Sequence, residues 1–441
     1  MRTCFALLSV LGLTCAVAAC ASSQPQPAST PTPAQTPAPV PRLPSPTPTL
    51  QASVEGLYLI PGTPPTSSTA MGYLLNRTDS TVEDVTLRVS LVNDQGGELA
   101  QSVIDLAVPL LGPGQSAPFS AAFPTSQDAE IQIEITGYRP ASDPPAPIDV
   151  NLNRRTLTDE GKLAVVGIMH NPNPTPVEIL GLAMAATDSQ GRLVGVGSDW
   201  RGLSGLAAGK SVPFLALLPA NETTVHVRAF VSAIATDELP PSPIEWGASP
   251  KLLTDDQGNP LVLASIRNSG STPALARVLV TLEGSSGTAS AAVYASPIPL
   301  APDETRPFSV TDFPGLASQL ASGGQSLSDL RARGQVDPSR SEATSQASVP
   351  LNIEVTAYEN IGGALLVHGT AYNQSQDHVL QPIVIGALRS TSGMIWSAGE
   401  ATIAENLEPG AQTDFLLVMP KPANIEPSQG EFDIRGLGLA P

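Results

Sequence analysis

The chain is 441 residues long, with 40 acidic residues against 22 basic ones, a formal charge of −18, and only 14% of its residues charged. That sign disfavours nucleic acid and anionic lipid surfaces as partners, because basic patches supply the affinity for both. Aromatic residues are only 4%, too few for a sugar-stacking platform, and the three cysteines, Cys4, Cys15 and Cys20, all precede residue 21, so the rest folds without disulfides or cysteine metal ligands.

Met1-Arg2-Thr3 gives a short positive start, and the apolar run Phe5 to Ala19 follows it. This run is shorter than the roughly twenty residues a membrane-spanning helix needs, so residues 1–19 read as a secretory signal peptide. It ends Val17-Ala18-Ala19-Cys20, which resembles the lipobox of bacterial lipoproteins. The resemblance implies cleavage before Cys20, diacylation of its sulfur, loss of Cys4 and Cys15, and an extracytoplasmic protein held at a bacterial cell membrane. Two or more acyl chains anchor stably, each buried methylene contributing about 0.8 kcal/mol. Ala21 provides no inner-membrane retention aspartate, which matters only in a cell with two membranes. Residues 20–51 read as a Pro/Ser/Thr-rich tether: the ten prolines between Ala21 and Thr49 favour an extended chain reaching about 90 Å at ~3.1 Å per residue.

Beyond the tether one pattern occurs four times. Gly72-x-x-x-Asn76, Gly167-x-x-x-Asn171, Ala264-x-x-x-Asn268 and Gly369-x-x-x-Asn373 are followed by Phe119, Phe214, Phe308 and Phe415. The asparagines are 95, 97 and 105 residues apart, and each phenylalanine lies 43, 43, 40 or 42 residues beyond its asparagine. A period near one hundred suits a complete small domain rather than a solenoid unit. Between the two landmarks come alternating runs such as Val85, Leu87, Val89 and Leu91, the mark of a half-buried strand. Hairpin turns follow at Asp94-Gln95-Gly96-Gly97, Asp188-Ser189-Gln190-Gly191, Ser285-Ser286-Gly287 and Thr391-Ser392-Gly393. Leu111-Gly112-Pro113-Gly114 and Leu407-Glu408-Pro409-Gly410 then supply Pro and Gly as a type II turn requires, with looser copies at Ala207-Ala208-Gly209 and Ala301-Pro302-Asp303. Each asparagine is expected to bond the backbone two residues on and to accept a left-handed conformation, and each small residue four before it to allow approach from the opposite sheet. The phenylalanine is expected to be a core anchor.

The expected fold class is all-β: four tandem antiparallel immunoglobulin-like β-sandwich domains after a signal peptide and a disordered Pro-rich stalk. The domains span 52–142, 147–239, 243–338 and 349–441, with proline-rich joints at Asp143–Pro147 and Leu239–Pro243 and a longer polar one at about Val336–Pro350. No helix of any length is expected; Gly315–Arg333 is the nearest candidate and lacks a consistent apolar face, and Gly315–Ser328 reads as an extended Ser/Gly-rich loop. The four-part pattern of G-x-x-x-N, acidic turn, L-x-P-G and F resembles the FxLYD-type module of bacterial envelope proteins. The eponymous Tyr-Asp is absent here: the first two copies keep only Asp94 and Asp188, and the other two keep neither. That resemblance implies an extracytoplasmic binding or spacer module and no established catalytic residues.

No nucleophile motif, phosphate loop or cofactor fingerprint stands out. His170, His226, His368 and His378 are scattered; the last two flank one turn and are the nearest approach to a metal pair, without the third ligand zinc needs. Asp255-Asp256-Gln257-Gly258-Asn259 resembles part of a calcium loop but lacks alternating oxygen ligands, and reads as a hairpin turn. Trp200, Trp246 and Trp396 are expected to pack in cores or between modules rather than to contact a ligand. Asn76, Asn221 and Asn373 match the glycosylation pattern, which carries little weight beside a lipobox. The expectation is therefore no catalytic, metal or cofactor site, lipidation at Cys20, and a membrane-anchored, non-enzymatic surface protein binding an envelope protein or polysaccharide through sandwich edges and end loops. A pure envelope spacer is the alternative, with a hydrolase behind both.

Overall fold

Val85, Leu87, Val89 and Leu91 are all buried, while Thr86 and Arg88 between them turn outward. That alternation makes Val82–Val92 the central strand of its sheet, paired antiparallel with Glu98–Asp105 on one side and Glu130–Pro140 on the other. The facing sheet is Gln51–Leu59, Ser68–Leu75 and Ser116–Phe123, with Ser68–Leu75 in the middle. In this computed structural model the described residues are 50–441, apart from 60–66, 125–128, 159, 220–222, 286 and 324. The expected signal peptide, Cys20 and tether up to residue 49 lie outside them.

The same two-sheet arrangement recurs down the chain. In the second set Asp149–Leu157, Lys162–His170 and Ser211–Pro219 form one sheet, and Val177–Thr187 carries Leu193–Gly197 and His226–Ala235 in the other. In the third set Ile244–Thr254, Pro260–Asn268 and Thr305–Val310 face Gly287–Leu300, Ala274–Gly284 and Arg331–Val336. In the fourth, Ser348–Ile361 pairs through its first residues with Gly430–Leu439 and through the rest with Ala364–Tyr372, linking both sheets into one six-stranded path. The fold is all-β, of antiparallel immunoglobulin-like sandwiches. Each set has its own apolar cluster, centred on residues such as Leu87, Val165, Val280 and Val367.

The sandwiches also share apolar surface. Ala183, Ala185 and Phe230 of the second set belong to the first set's cluster, and Phe230 lies 5.8 Å from Tyr73. Gly181 sits so close to Ala107 that an added Cβ would meet its carbonyl oxygen at 2.1 Å. Leu279 and Ala291 of the third set join the second set's cluster, and Ile298 meets Ile383, Ile385 and Leu439 of the fourth. The described residues consequently form one compact unit.

Two segments depart from expectation. Leu316–Gly323 is a short α-helix and Leu327–Asp329 a 3₁₀ turn, where an extended loop was expected. The helix buries Leu316 and Gln319 and packs Leu320 against the third cluster, so tertiary contact supplies what its weak periodicity lacks. The polar stretch after Val336 is no loose joint, because Asp337 and Ser341 are fully buried. The Asp337 carboxylate accepts the Ser204 N–H at 2.9 Å, the Ser204 hydroxyl at 3.1 Å and the Gly205 N–H at 3.3 Å, all from the second sandwich. The Ser339 N–H adds a fourth donor at 3.2 Å, and four donors on one buried carboxylate offset its desolvation.

Candidate functional site

The repeated residues turn out to be structural. Asn76, Asn171, Asn268 and Asn373 are all buried. Each Oδ1 accepts the backbone N–H two residues on, at Thr78, Asn173, Gly270 and Ser375. Each Nδ2 donates to the carbonyl four residues on and to a distant leucine carbonyl, Leu111, Leu206, Leu300 or Leu407, just before the second turn. The asparagine backbone carbonyl accepts an N–H from that same turn, at Gly114, Gly209, Asp303 and Gly410. It is these turn residues, and not the asparagines, that have positive φ. With Asn76 and Asn373 enclosed in this way, neither is available as a glycan acceptor.

The small residue four positions earlier stands directly opposite the phenylalanine in all four copies: Gly72 and Phe119, Gly167 and Phe214, Ala264 and Phe308, Gly369 and Phe415. An added Cβ at Gly167 would lie 2.6 Å from the Phe214 ring. The missing side chain therefore makes room for a ring on the adjacent strand of the same sheet, which corrects the expectation of approach from the opposite sheet.

The histidines do not assemble. His170 Nδ1 is 3.0 Å from Ser211 Oγ, His378 Nε2 is 2.7 Å from Glu408, and His368 Nε2 is 3.6 Å from Glu359, beyond hydrogen-bond reach. Among the described residues no three His, Cys, Asp or Glu side chains are placed to hold a metal ion. Asp255 lies in the hairpin between Ile244–Thr254 and Pro260–Asn268, where Oδ1 accepts the N–H of Gln257 and Asn259. Trp200 packs on the second cluster, and Trp246 on the third, 6.2 Å from Phe308.

Trp396 is different. It packs partly on the fourth cluster and also lines a cleft of about 900 Å³ between the third and fourth sandwiches. The edge strand Ile244–Thr254 supplies one wall, with Lys251 and Leu252. Opposite stand Arg389, the exposed Met394, Trp396 and Ile425. Main-chain bonds fix the two walls: Ala423 N–H donates to Thr254 O at 2.9 Å and Asp256 N–H to Lys421 O at 3.3 Å, with Asp255 bridged to Pro422. Lys421 Nζ also pairs with Asp256 at 2.7 Å. Elsewhere between the same two sandwiches Tyr294 donates to Glu400 at 3.0 Å, and the Ser309 hydroxyl to the Ala398 carbonyl at 2.7 Å. Burial raises the Tyr294 hydroxyl, with the Glu400 charge adding to it, and burial likewise raises the Glu400 carboxyl against the lowering pull of Tyr294 and Arg306.

The electrostatics of the cleft run against the chain as a whole. Its described lining contains two charged residues, Lys251 and Arg389, and no carboxylate. Of the acids next to lining residues, Asp255 is bonded within its hairpin, Asp256 to Lys421 and Asp329 to Ser326, while Glu426 is exposed beside Ile425. Asp433 is shared between Arg435 at 3.0 Å and Arg389 at 3.4 Å, and the Arg435 hydrogen bond holds its carboxyl below the usual range despite partial burial. No local sequence signal marks this site, because its walls come from segments near residues 250, 390 and 425.

No known protein family and no curated protein matches the chain. Solved structures it is similar to include Salmonella alpha-2-macroglobulin reacted with methylamine, at 11% identity over 83% of this chain and 28% of that one. Trypsin-activated alpha-2-macroglobulin from Escherichia coli is similar at 10% identity over 85% of this chain and 29% of that one. Both have a TM-score of 0.12, and the chain spans under a third of their length.

Proposed function

We propose that this protein is a lipid-anchored, extracytoplasmic surface protein that acts by binding rather than catalysis, with the cleft between the third and fourth sandwiches as its contact site. The anchor rests on Val17-Ala18-Ala19-Cys20 and the proline tether. The observation that carries the binding role is the cleft itself: a cavity of about 900 Å³ with an aromatic and aliphatic lining and two cations, its walls joined by main-chain hydrogen bonds. Ligand sites have this size and mixture, and a pre-formed one avoids the ordering cost of binding. The partner is an envelope protein or polysaccharide, or a smaller envelope component.

A second reading, a pure spacer of the envelope, draws support from the shared apolar surface and the Asp337 latch between sandwiches. Affinity capture from envelope extract, with parent protein beside Met394→Glu, separates the two. A partner retained by the parent and lost by the variant supports binding at the cleft, and identical captures favour the spacer. Palmitate labelling of the parent, abolished in Cys20→Ser, tests the anchor; labelling that persists in the variant overturns it.

A further inference from the structure

We infer that the cleft between the third and fourth sandwiches takes an anionic amphiphile, a small molecule with an apolar body and one acidic head group. The inference rests on reading the cleft as a binding site and adds the ligand's chemistry.

The argument is one of charge selection. The chain carries 40 acids to 22 bases, so a surface patch drawn from it at random is acidic on balance. The described lining of the cleft holds Lys251 and Arg389 and no carboxylate. Lys251 makes no ion pair among the described residues and is exposed. Arg389 shares the single Asp433 carboxylate with Arg435, leaving one net positive charge among those three groups. Glu431, opposite Arg389 in the ladder, is exposed and forms no ion pair with it. A cation in a partly enclosed, apolar-walled cleft interacts more strongly with an anion than one on open surface.

The remaining lining selects the body of the ligand. Leu252, Ile425, Trp396 and Met394 present aliphatic and aromatic surface, and Met394 is 56% exposed although large and apolar. Methionine adapts to irregular apolar shapes, which suits an alkyl or aryl chain. An added peptide strand is the less favoured occupant. The wall strand Ile244–Thr254 slips register between Ala248 and Lys251 and carries Pro250 there, devices that discourage edge pairing.

Titration calorimetry on the mature chain tests this with three ten-carbon probes below self-association: decanoate, decan-1-ol and decylammonium. Decanoate is expected to bind most tightly. Lys251→Glu, at an exposed position that leaves the fold intact, is expected to weaken decanoate by about tenfold while leaving decanol unchanged. Met394→Glu is expected to weaken both. Equal binding of all three probes, or decanoate affinity unmoved in Lys251→Glu, overturns the anionic assignment while leaving the cleft a binding site. Failure of every probe to bind overturns the inference and removes the support for the cleft as a small-molecule site; a partner captured from envelope extract would still stand apart from that result.

Discussion

Gly369 and Phe415 face each other across adjacent strands, and a Cβ at Gly369 would lie 2.6 Å from the phenylalanine ring and 2.5 Å from the Glu354 carbonyl oxygen. Neither neighbour yields easily, since one is a buried ring of the fourth apolar cluster and the other is backbone. Gly369→Ala is therefore expected to cost about 1–3 kcal/mol by overpacking, read as a lower urea midpoint. In the third copy alanine already occupies this position, and Phe308 stacks on Tyr294 at 4.2 Å. There the reverse change, Ala264→Gly, is expected to cost no more than about 1 kcal/mol. An unaltered midpoint in Gly369→Ala would refute the ring-over-glycine account.

Asn373 offers a test of polarity at constant shape. Its amide donates to the carbonyls of Asp377 at 2.9 Å, Leu407 at 2.9 Å and Glu408 at 3.1 Å. Asn373→Asp replaces those donors with a charged acceptor aimed at three carbonyl oxygens. A loss of at least about 3 kcal/mol is expected at neutral pH, larger than for Asn373→Ala, measured by chemical denaturation. An aspartate variant no worse than the alanine variant would show that the donors contribute little.

Asp337 couples the second and third sandwiches through Ser204 and Gly205. Asp337→Ala strands those buried donors, at a cost of about 2–4 kcal/mol. Calorimetry is expected to show a single transition broadening or splitting, and amide exchange to accelerate at Ser204 and Gly205 ahead of the rest. Unchanged exchange at those two amides would count against the latch.

Glu400 governs a pH dependence. Burial raises its carboxyl above the usual range, so the folded state holds the proton more tightly than the unfolded chain. Its contribution is fully present below the ordinary carboxyl range and is lost as pH rises through the folded value. Glu400→Gln keeps an acceptor for Tyr294 and removes the buried charge. The variant is expected to exceed the parent in melting temperature at about pH 8 and to match it at about pH 4. A difference of the same size at both values would exclude this carboxyl as the source.

What was legible in the sequence was local or regularly spaced. The asparagine's bond two residues on, the Pro-Gly turns and the alternating core strands depend on a few neighbouring positions, and four copies reinforced each signal. The ring-on-glycine pairing was misread because spacing gives proximity along the chain but not which strand lies alongside. Lateral packing was not legible at all. Ala183 and Ala185 look like ordinary strand residues, and nothing local shows that they face another sandwich's core. Asp337 lies in a polar stretch whose burial depends on Ser204, more than a hundred residues away. The cleft shares that origin, since it exists only once Lys251, Arg389 and Ile425 are brought together.

The main-chain bonds joining Thr254 and Asp256 to Ala423 and Lys421 have a bearing on ancestry as well as on stability. Duplicated domains strung like beads gain or lose units freely. Here each neighbour presents a surface matched to one particular other, so deleting a unit would set unlike faces together and leave apolar side chains such as Ile298 in water. Geometry thereby ties each sandwich to its own neighbours, and change is tolerated most readily on the outward faces.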